Sequence, residues 1–472
     1  MVLRHLDPTT AANAAASTKA METSAVLHRH LAYDFLPVVK AEGSYLVLGD
    51  GRKLFDASGG AAVGCIGWGD ERVARAVMAQ MMAIPYCTSV FYTTKVQEEL
   101  CRHLVDSTNG KMSRAYIVSS GSEAMEAAVK LTRQYFLELD PPQPRRTRFI
   151  SRRQSYHGIT LGALAVGGHE FRRAKFEPLL MKNVSSVSPC NEFRGKNAGE
   201  TDEDYVARLA KELDDEFKAV GPETVCAFVA EPVVGAALGC VPSVPGYFKA
   251  MQAVCRKHGA LLILDEVMCG MGRTGTLHAW EQEGVVPDIQ TIGKALGGGY
   301  QPVAGVLVNR HVVEVLEKGS SAFVHGHTYQ GHPAVCAAAL EVQHIIQDEN
   351  LLSNVRAMGA LLSRRLHERL GSHPNVGNIR GRGLFWGIEF VAEKNKSLPF
   401  PEEAHIAMEI SKRGLAEEYG INVYPGTGSA DGIRGDHIII APPFNVRSED
   451  IEWIVETIGR LVDDFFATLG GP

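Results

Sequence analysis

The sequence predicts an α/β protein built on a largely parallel sheet, with a second, smaller α+β domain beside it. Three observations carry that prediction. From about Asp70 to residue 335, short apolar runs alternate with amphipathic helical stretches, the pattern of a parallel sheet covered by helices. After about residue 335 the texture changes to long helices followed by strands. The chain has 472 residues, more than one compact core usually covers. The divisions read as 1–70 for an N-terminal arm and the first strands of the small domain, 71–335 for the large domain, and 336–472 for the rest of the small domain.

Taken in order, "FLPVVKAEGSYLVLGDGRKLFDAS" reads as strands, with Asp50-Gly51 as a hairpin turn between apolar runs. "ERVARAVMAQMM" and "KVQEELCRHLVDS" have helical periodicity, "RAYIVSS" is a buried strand, and "SEAMEAAVKLTRQYFLEL" is a long helix. "TRFISRRQSYHG" reads as strand then loop. "VCAFVAEPVVG", "ALLILDEVM", "IQTIGKALGGG" and "VAGVLVN" are apolar strands, with the helix "GYFKAMQAVCRKHG" among them. "AVCAAALEVQHIIQ" and "LLSNVRAMGALLSRRLHERL" are helices, "GNIRGRGLFWGIEFVAE" and "DHIIIAPPF" strands, and "EDIEWIVETIGRLVDDFFATL" a closing amphipathic helix. The loosest segments are "LDPPQPRRT", "NEFRGKNAGETDEDY" and "EKNKSLPFPEE".

Composition excludes several function classes. A formal charge of −6 supplies no basic field for nucleic acid or an anionic membrane. No apolar run approaches the roughly 18–20 residues of a membrane span. The nine cysteines are scattered without a C-x-x-C pair, which reads as reduced thiols in a cytoplasmic setting. Met1 to Met21 is Ala/Thr-rich with few charges, unlike a signal or transit peptide, and reads as a frayed or partner-contacting arm.

Six segments offer residues for chemistry. "SSGSEA" (Ser119 to Ala124, with Ser120, Gly121 and Ser122 at its centre) stands between a strand and a helix, where backbone N–H groups and the helix dipole suit an anion. A plain Ser/Gly N-cap looks the same. "LLILDEVMCGMGRTG" puts Asp265 at the end of an apolar strand, where α/β folds place ligands. A carboxylate there either keeps a pyridine nitrogen protonated or caps a turn. "DIQTIGKALGGGYQPVAG" puts Lys294 after an apolar strand and before three glycines. A desolvated lysine is a nucleophile and a solvated one is not. "SYHGIT" offers Tyr156 as a flat aromatic with His157 beside it, and "AEPVVG" puts Glu231 at another strand end. "HGHTYQGHP" has three histidines without an accompanying carboxylate or cysteine at zinc spacing, so its Thr328 hydroxyl is of more interest than a metal.

In this order and combination the pieces resemble the class III aminotransferases, a pyridoxal 5′-phosphate (PLP) family of fold type I, over about residues 33 to 465. "LILDEVMCGMGRTG" followed by "TIGKALGGG" is the specific part. The resemblance implies a mostly parallel, mixed seven-stranded sheet, Lys294 as the Schiff-base lysine and Asp265 as the partner of the ring nitrogen. It further implies Ser120, Gly121 and Ser122 as the phosphate cup, Tyr156 stacked on the ring with His157 and Val267 against the cofactor, and Glu231 near cofactor and substrate. Thr328 would reach the phosphate of a neighbouring subunit, so a homodimer is expected. Two departures stand out: Met268 replaces a common glutamine, and Ile439 stands where ornithine-type members carry a carboxylate-binding arginine before "APP". Arg434, in "DGIRGDH", is the nearest basic substitute, as a mobile substrate-binding arginine or as a solvated loop residue. The expected activity is ping-pong transfer of an amino group from a primary amine or ω-amino acid to a small 2-oxo acid, with pyruvate favoured. Decarboxylation, racemisation or elimination on the same fold, or a non-catalytic PLP-binding protein, are the alternatives.

Overall fold

The computed structural model describes residues 24–469; the arm expected over Met1 to Met21 lies outside the described residues. Its centre is a seven-stranded sheet in the order β4-β12-β11-β10-β7-β5-β6. These strands are β4 (Met112–Val118), β5 (Arg148–Arg152), β6 (Val184–Val187), β7 (Val225–Ala230), β10 (Leu261–Glu266), β11 (Ile289–Ile292) and β12 (Ala304–Asn309). The β11, β10, β7, β5 and β6 neighbours pair parallel, whereas β12 runs antiparallel to both β11 and β4. The sheet is therefore mixed, with one strand reversed.

Alternation along β10 shows how the core is made. Leu261 and Ile263 join the apolar layer under helix Gly121–Glu138, while Leu262 and Leu264 join the layer under helices Asp202–Val220 and Tyr247–Lys257. Both faces are covered, which is why β7 and β10 are apolar at nearly every position instead of every second one.

Two further four-stranded sheets flank the central one. The first pairs β1 (Val38–Glu42), β2 (Tyr45–Leu48) and β3 (Lys53–Asp56) with β15 (Ile421–Asn422), so the two ends of the described chain share a sheet. Its β2–β3 turn is the expected Asp50-Gly51 hairpin, with Gly51 at φ +90°. The second sheet orders β13 (Val376–Arg382), β14 (Phe385–Phe390), β17 (Asp436–Ile440) and β16 (Tyr424–Gly426). A two-residue pair, β8 (Val233–Val234) and β9 (Val241–Pro242), closes over the end of β7.

The segment expected to be loose at 191–205 is partly ordered. Thr201 accepts from Asp204 N–H, and Asp202, Glu203 and Asp204 occupy the first turn of helix Asp202–Val220, where acids favour the helix dipole.

Candidate active site

β4, β5, β7, β10 and β11 all end at one edge of the central sheet, because β4 regains the common direction through two antiparallel pairings with β12. The loops leaving these strands surround a cavity of about 240 Å³. Gly121, Ser122, Tyr156, His157, Glu231, Asp265, Val267 and Lys294 line it, drawn from five separate stretches of sequence.

Asp265 forms the floor and is 4% exposed. It lies on the same face of β10 as Ile263, toward helix Gly121–Glu138, by the two-residue period of a strand. Its Oδ2 meets His157 Nδ1 at 2.8 Å, and its Oδ1 accepts from Thr291 Oγ1 and Val267 N–H, each at 3.0 Å. An ionised carboxylate only accepts, so these contacts place the imidazole proton on Nδ1. His157 Nε2 is buried without a hydrogen-bond partner among the described residues. Glu266, next in sequence, points to the opposite face, where it accepts from Ala279 and Trp280 N–H at 2.7 and 2.8 Å. Burial pushes its carboxyl up to about 8. The acidic pair is thus split between one site residue and one structural residue.

Lys294 follows β11 across Gly293 and adopts φ +46°. A left-handed backbone costs a non-glycine residue about 1–2 kcal/mol, and such strain collects at functional positions. Desolvation lowers its ammonium to about 8, against the opposing pull of the Asp265 and Glu231 carboxylates. Glu231 accepts from Tyr156 N–H at 3.0 Å and Gly235 N–H at 3.2 Å, and burial raises its pKa.

One wall is the N-terminus of helix Gly121–Glu138. Ser120 caps it, accepting from Glu123 N–H, while Glu123 accepts from Ser119 N–H. Ser120 is not among the cavity-lining residues; its hydroxyl accepts this cap bond and keeps its own O–H free to donate. Ser122 Oγ accepts from Ile159 N–H at 2.9 Å, tying this wall to the Tyr156–His157 loop. A Cβ on Gly121 would stand 2.7 Å from Val267 Cγ1, so only glycine lets the helix end approach β10 this closely.

Two other expected residues lie elsewhere. Thr328 is exposed on the loop before helix Pro333–Asp348 and does not line this cavity. Arg434 also lies outside the cavity lining, its side chain 51% exposed, because Asp431 three residues earlier accepts from its Nε and its backbone N–H at 2.7 Å. Tyr424 of β16 lines the cavity from that part of the chain, and Ile439 is buried with Met268 and Phe385 in an apolar cluster. Sequence reasoning missed Arg29, Arg172 and Tyr424 as lining residues. Arg172 sits in "HEFRRAKF", where a basic pair on a short polar helix carries no signal that sets it apart from a solvated face.

Residues 27–462 match the model of the family Aminotransferase class-III. The chain is 53% identical over 428 residues to a protein of Gibberella zeae named aminotransferase, covering 90% of this chain and 84% of that one. It is 34% identical to gamma aminobutyrate transaminase 3, chloroplastic, of Solanum lycopersicum, over 91% of this chain and 81% of the relative. Among solved structures, the omega transaminase from Pseudomonas jessenii in complex with PMP superposes with a TM-score of 0.85 at 32% identity, over 93% of this chain and 94% of that one.

Proposed function

The chain belongs to the class III aminotransferases, PLP-dependent enzymes of fold type I, and on that premise we propose that it moves an amino group from a primary amine or ω-amino acid to a small 2-oxo acid such as pyruvate by a ping-pong reaction. The observation that carries the reading is the convergence of Lys294, Asp265 and the helix end at Gly121–Ser122 on one cavity.

The residues fit PLP. The first-turn N–H groups of helix Gly121–Glu138 lack intrahelical partners and suit a phosphate. The buried Asp265, held by three donors, suits a protonated pyridine nitrogen, and Tyr156 offers an aromatic face. When bound, PLP supplies an aldehyde carbon that takes up and releases the amino group, and a ring that accepts electron density.

The roles of the chain's own residues follow. Lys294, with its ammonium lowered to about 8 and so half neutral near that pH, would be the covalent anchor of the cofactor and, when free, the proton carrier at the substrate carbon. Asp265 fixes positive charge in the floor, and His157 orients that carboxylate from its other side. The apolar packing around Met268 and Ile439 leaves no fixed cation at that position for an oxo-acid carboxylate, so the ornithine-type clamp for 2-oxoglutarate is missing there.

Assembly as a homodimer is part of the proposal. Met78, Met81 and Met82 on helix Glu71–Ala83, together with Val90, Phe91 and Tyr92, form exposed apolar surface of the kind that marks an interface. The exposed Thr328 would then serve the partner's site. The cytoplasm suits the cysteines, all free among the described residues. No helix of the described residues is long and apolar enough to cross a membrane. The division into 71–335 and a smaller domain from 1–70 and 336–472 also stands as a proposal. It is supported by a central sheet drawn only from residues 112–309 and outer four-stranded sheets drawn only from 38–56 and 376–440.

The test is a panel of amine donors offered with pyruvate or 2-oxoglutarate, reading the cofactor absorbance in each half-reaction. Conversion to the aminated cofactor with amine alone, reversed by pyruvate, supports transamination. Release of carbon dioxide or racemised product without that conversion would replace the reading with another chemistry.

A further inference from the structure

Arg172 is a cation lining the cavity that pairs with no acid among the described residues. It sits in the short helix Glu170–Arg173, and its guanidinium carbon lies 5.0 Å from the centroid of the Tyr156 ring. Among the described residues it makes no ion pair and no side-chain hydrogen bond, and its Nε is buried without a partner. The adjacent Arg173 shows what a structural arginine does in this place: it donates to the carbonyls of Leu164, Ala165 and Gly167 and to Glu177. The cavity's own carboxylates are committed elsewhere, Asp265 to His157, Thr291 and Val267, and Glu231 to two backbone N–H groups. Buried donors are nearly always satisfied, so an unsatisfied one lining a cavity marks a place for a ligand acceptor.

The other positions for a substrate-binding arginine are closed. Ile439 is buried among apolar side chains, and Arg434 is folded back onto Asp431. Arg29 lines the same cavity, but its side chain is exposed, whereas Arg172 is half-buried and braced on an aromatic face. Resting on the transaminase reading, we infer that Arg172 binds the carboxylate of the amino acid or oxo acid substrate. A guanidinium placed over the Tyr156 ring, with no other partner among the described residues, keeps its planar fork of donors free for a two-point contact with a carboxylate. A neutral amine would occupy the same site without using it, so Arg172 decides between acidic and neutral substrates and takes no part in the chemistry at Lys294.

The experiment uses the PLP-loaded enzyme and two readouts. The first compares half-saturating concentrations of L-alanine and of 1-phenylethylamine in the amine half-reaction. Arg172→Ala and Arg172→Gln should raise the value for L-alanine about 10- to 100-fold, the loss of a charge-assisted contact, and leave 1-phenylethylamine within about threefold. The second titrates propionate, and propionamide as its neutral control, against the cofactor absorbance. Wild type should bind propionate in preference to propionamide, and both variants should lose that preference. The second readout is independent of the reaction catalysed: if wild type fails to aminate its cofactor yet its propionate preference depends on Arg172, the transaminase reading falls and the carboxylate site stands. Equal losses for both amines, or an unchanged propionate preference in variants that keep the wild-type melting temperature, overturn the assignment.

Discussion

At the floor of the cavity Asp265 has both oxygens engaged by three donors, and Glu231 has both engaged by backbone N–H groups. At the rim, Arg172 holds no side-chain partner among the described residues, and Arg434 is exposed and turned onto its own loop. The floor sits on strand ends covered on both faces, where an unpaired charge is costly and geometry is fixed by packing. The rim is made by loops and a four-residue helix, where a side chain is free to wait for a ligand. The difference separates two questions: the reaction class is written in the rigid floor, and substrate choice in the rim.

The largest expected effect comes from the floor. Lys294→Ala should abolish turnover while the protein still binds PLP without a covalent link, so borohydride should no longer fix the cofactor to the chain in a mass spectrum. Wild-type behaviour sharpens the same point. The Lys294 ammonium is lowered to about 8 by desolvation, so the rate at which apoprotein forms its covalent link should rise with pH and level off above about 8. A midpoint near 10.5, the ordinary lysine value, would mean that the floor is as wet as the rim.

Asp265→Asn comes next, with a rate loss of about 10²-fold, the scale of one preorganised electrostatic partner. The fold should survive, because the amide oxygen can take the Thr291 and Val267 donors while His157 shifts its proton to Nε2. A loss below threefold in a variant that binds PLP normally would make Asp265 a turn residue. Thr328→Ala should act more weakly and through assembly, lowering PLP affinity severalfold and promoting dissociation on dilution. Sedimentation of a fully active monomer would remove the partner from the site altogether.

The same contrast explains what was legible in the sequence. The floor residues end apolar runs, and a charge closing such a run stands out, so Asp265, Glu231 and Lys294 could be found and the strands beneath them outlined. Which acid of Asp265-Glu266 faces the site needed only the two-residue period, with Ile263 marking the helix face. Ser120 could be read either way, because a helix cap and a phosphate cup draw on the same residue types, and in the structure it caps the helix. Val184–Val187 has too short and polar a run to announce a strand, whereas Thr201 before three acids was a readable helix start inside a stretch expected to be loose. Arg172 was beyond reach: its approach to Tyr156 depends on how a short helix packs 16 residues later in the chain, and spacing does not encode that.

The smallest expected effect belongs to Arg434, and it tests the division of the rim most directly. Its Nε and backbone N–H both donate to Asp431, which closes the loop on itself. Side chains exposed to 51% and 37% make this a surface ion pair, worth about 0–1 kcal/mol. Removing it should cost little stability and touch nothing that lines the cavity. Arg434→Ala is therefore expected to leave KM for pyruvate within about twofold and the neutral-amine half-reaction unchanged, with a melting temperature close to wild type. A weak surface pair is also easily broken, and the glycines at 426, 428, 432 and 435 give the loop freedom to move. If Arg434 leaves Asp431 when an acid enters, Arg434→Ala will raise KM for pyruvate tenfold or more while sparing the neutral amine. That result would hand the carboxylate to the loop, and Arg172→Ala would then have to show no selective loss. Measured side by side on the two half-reactions, the two variants decide which arginine the acid meets.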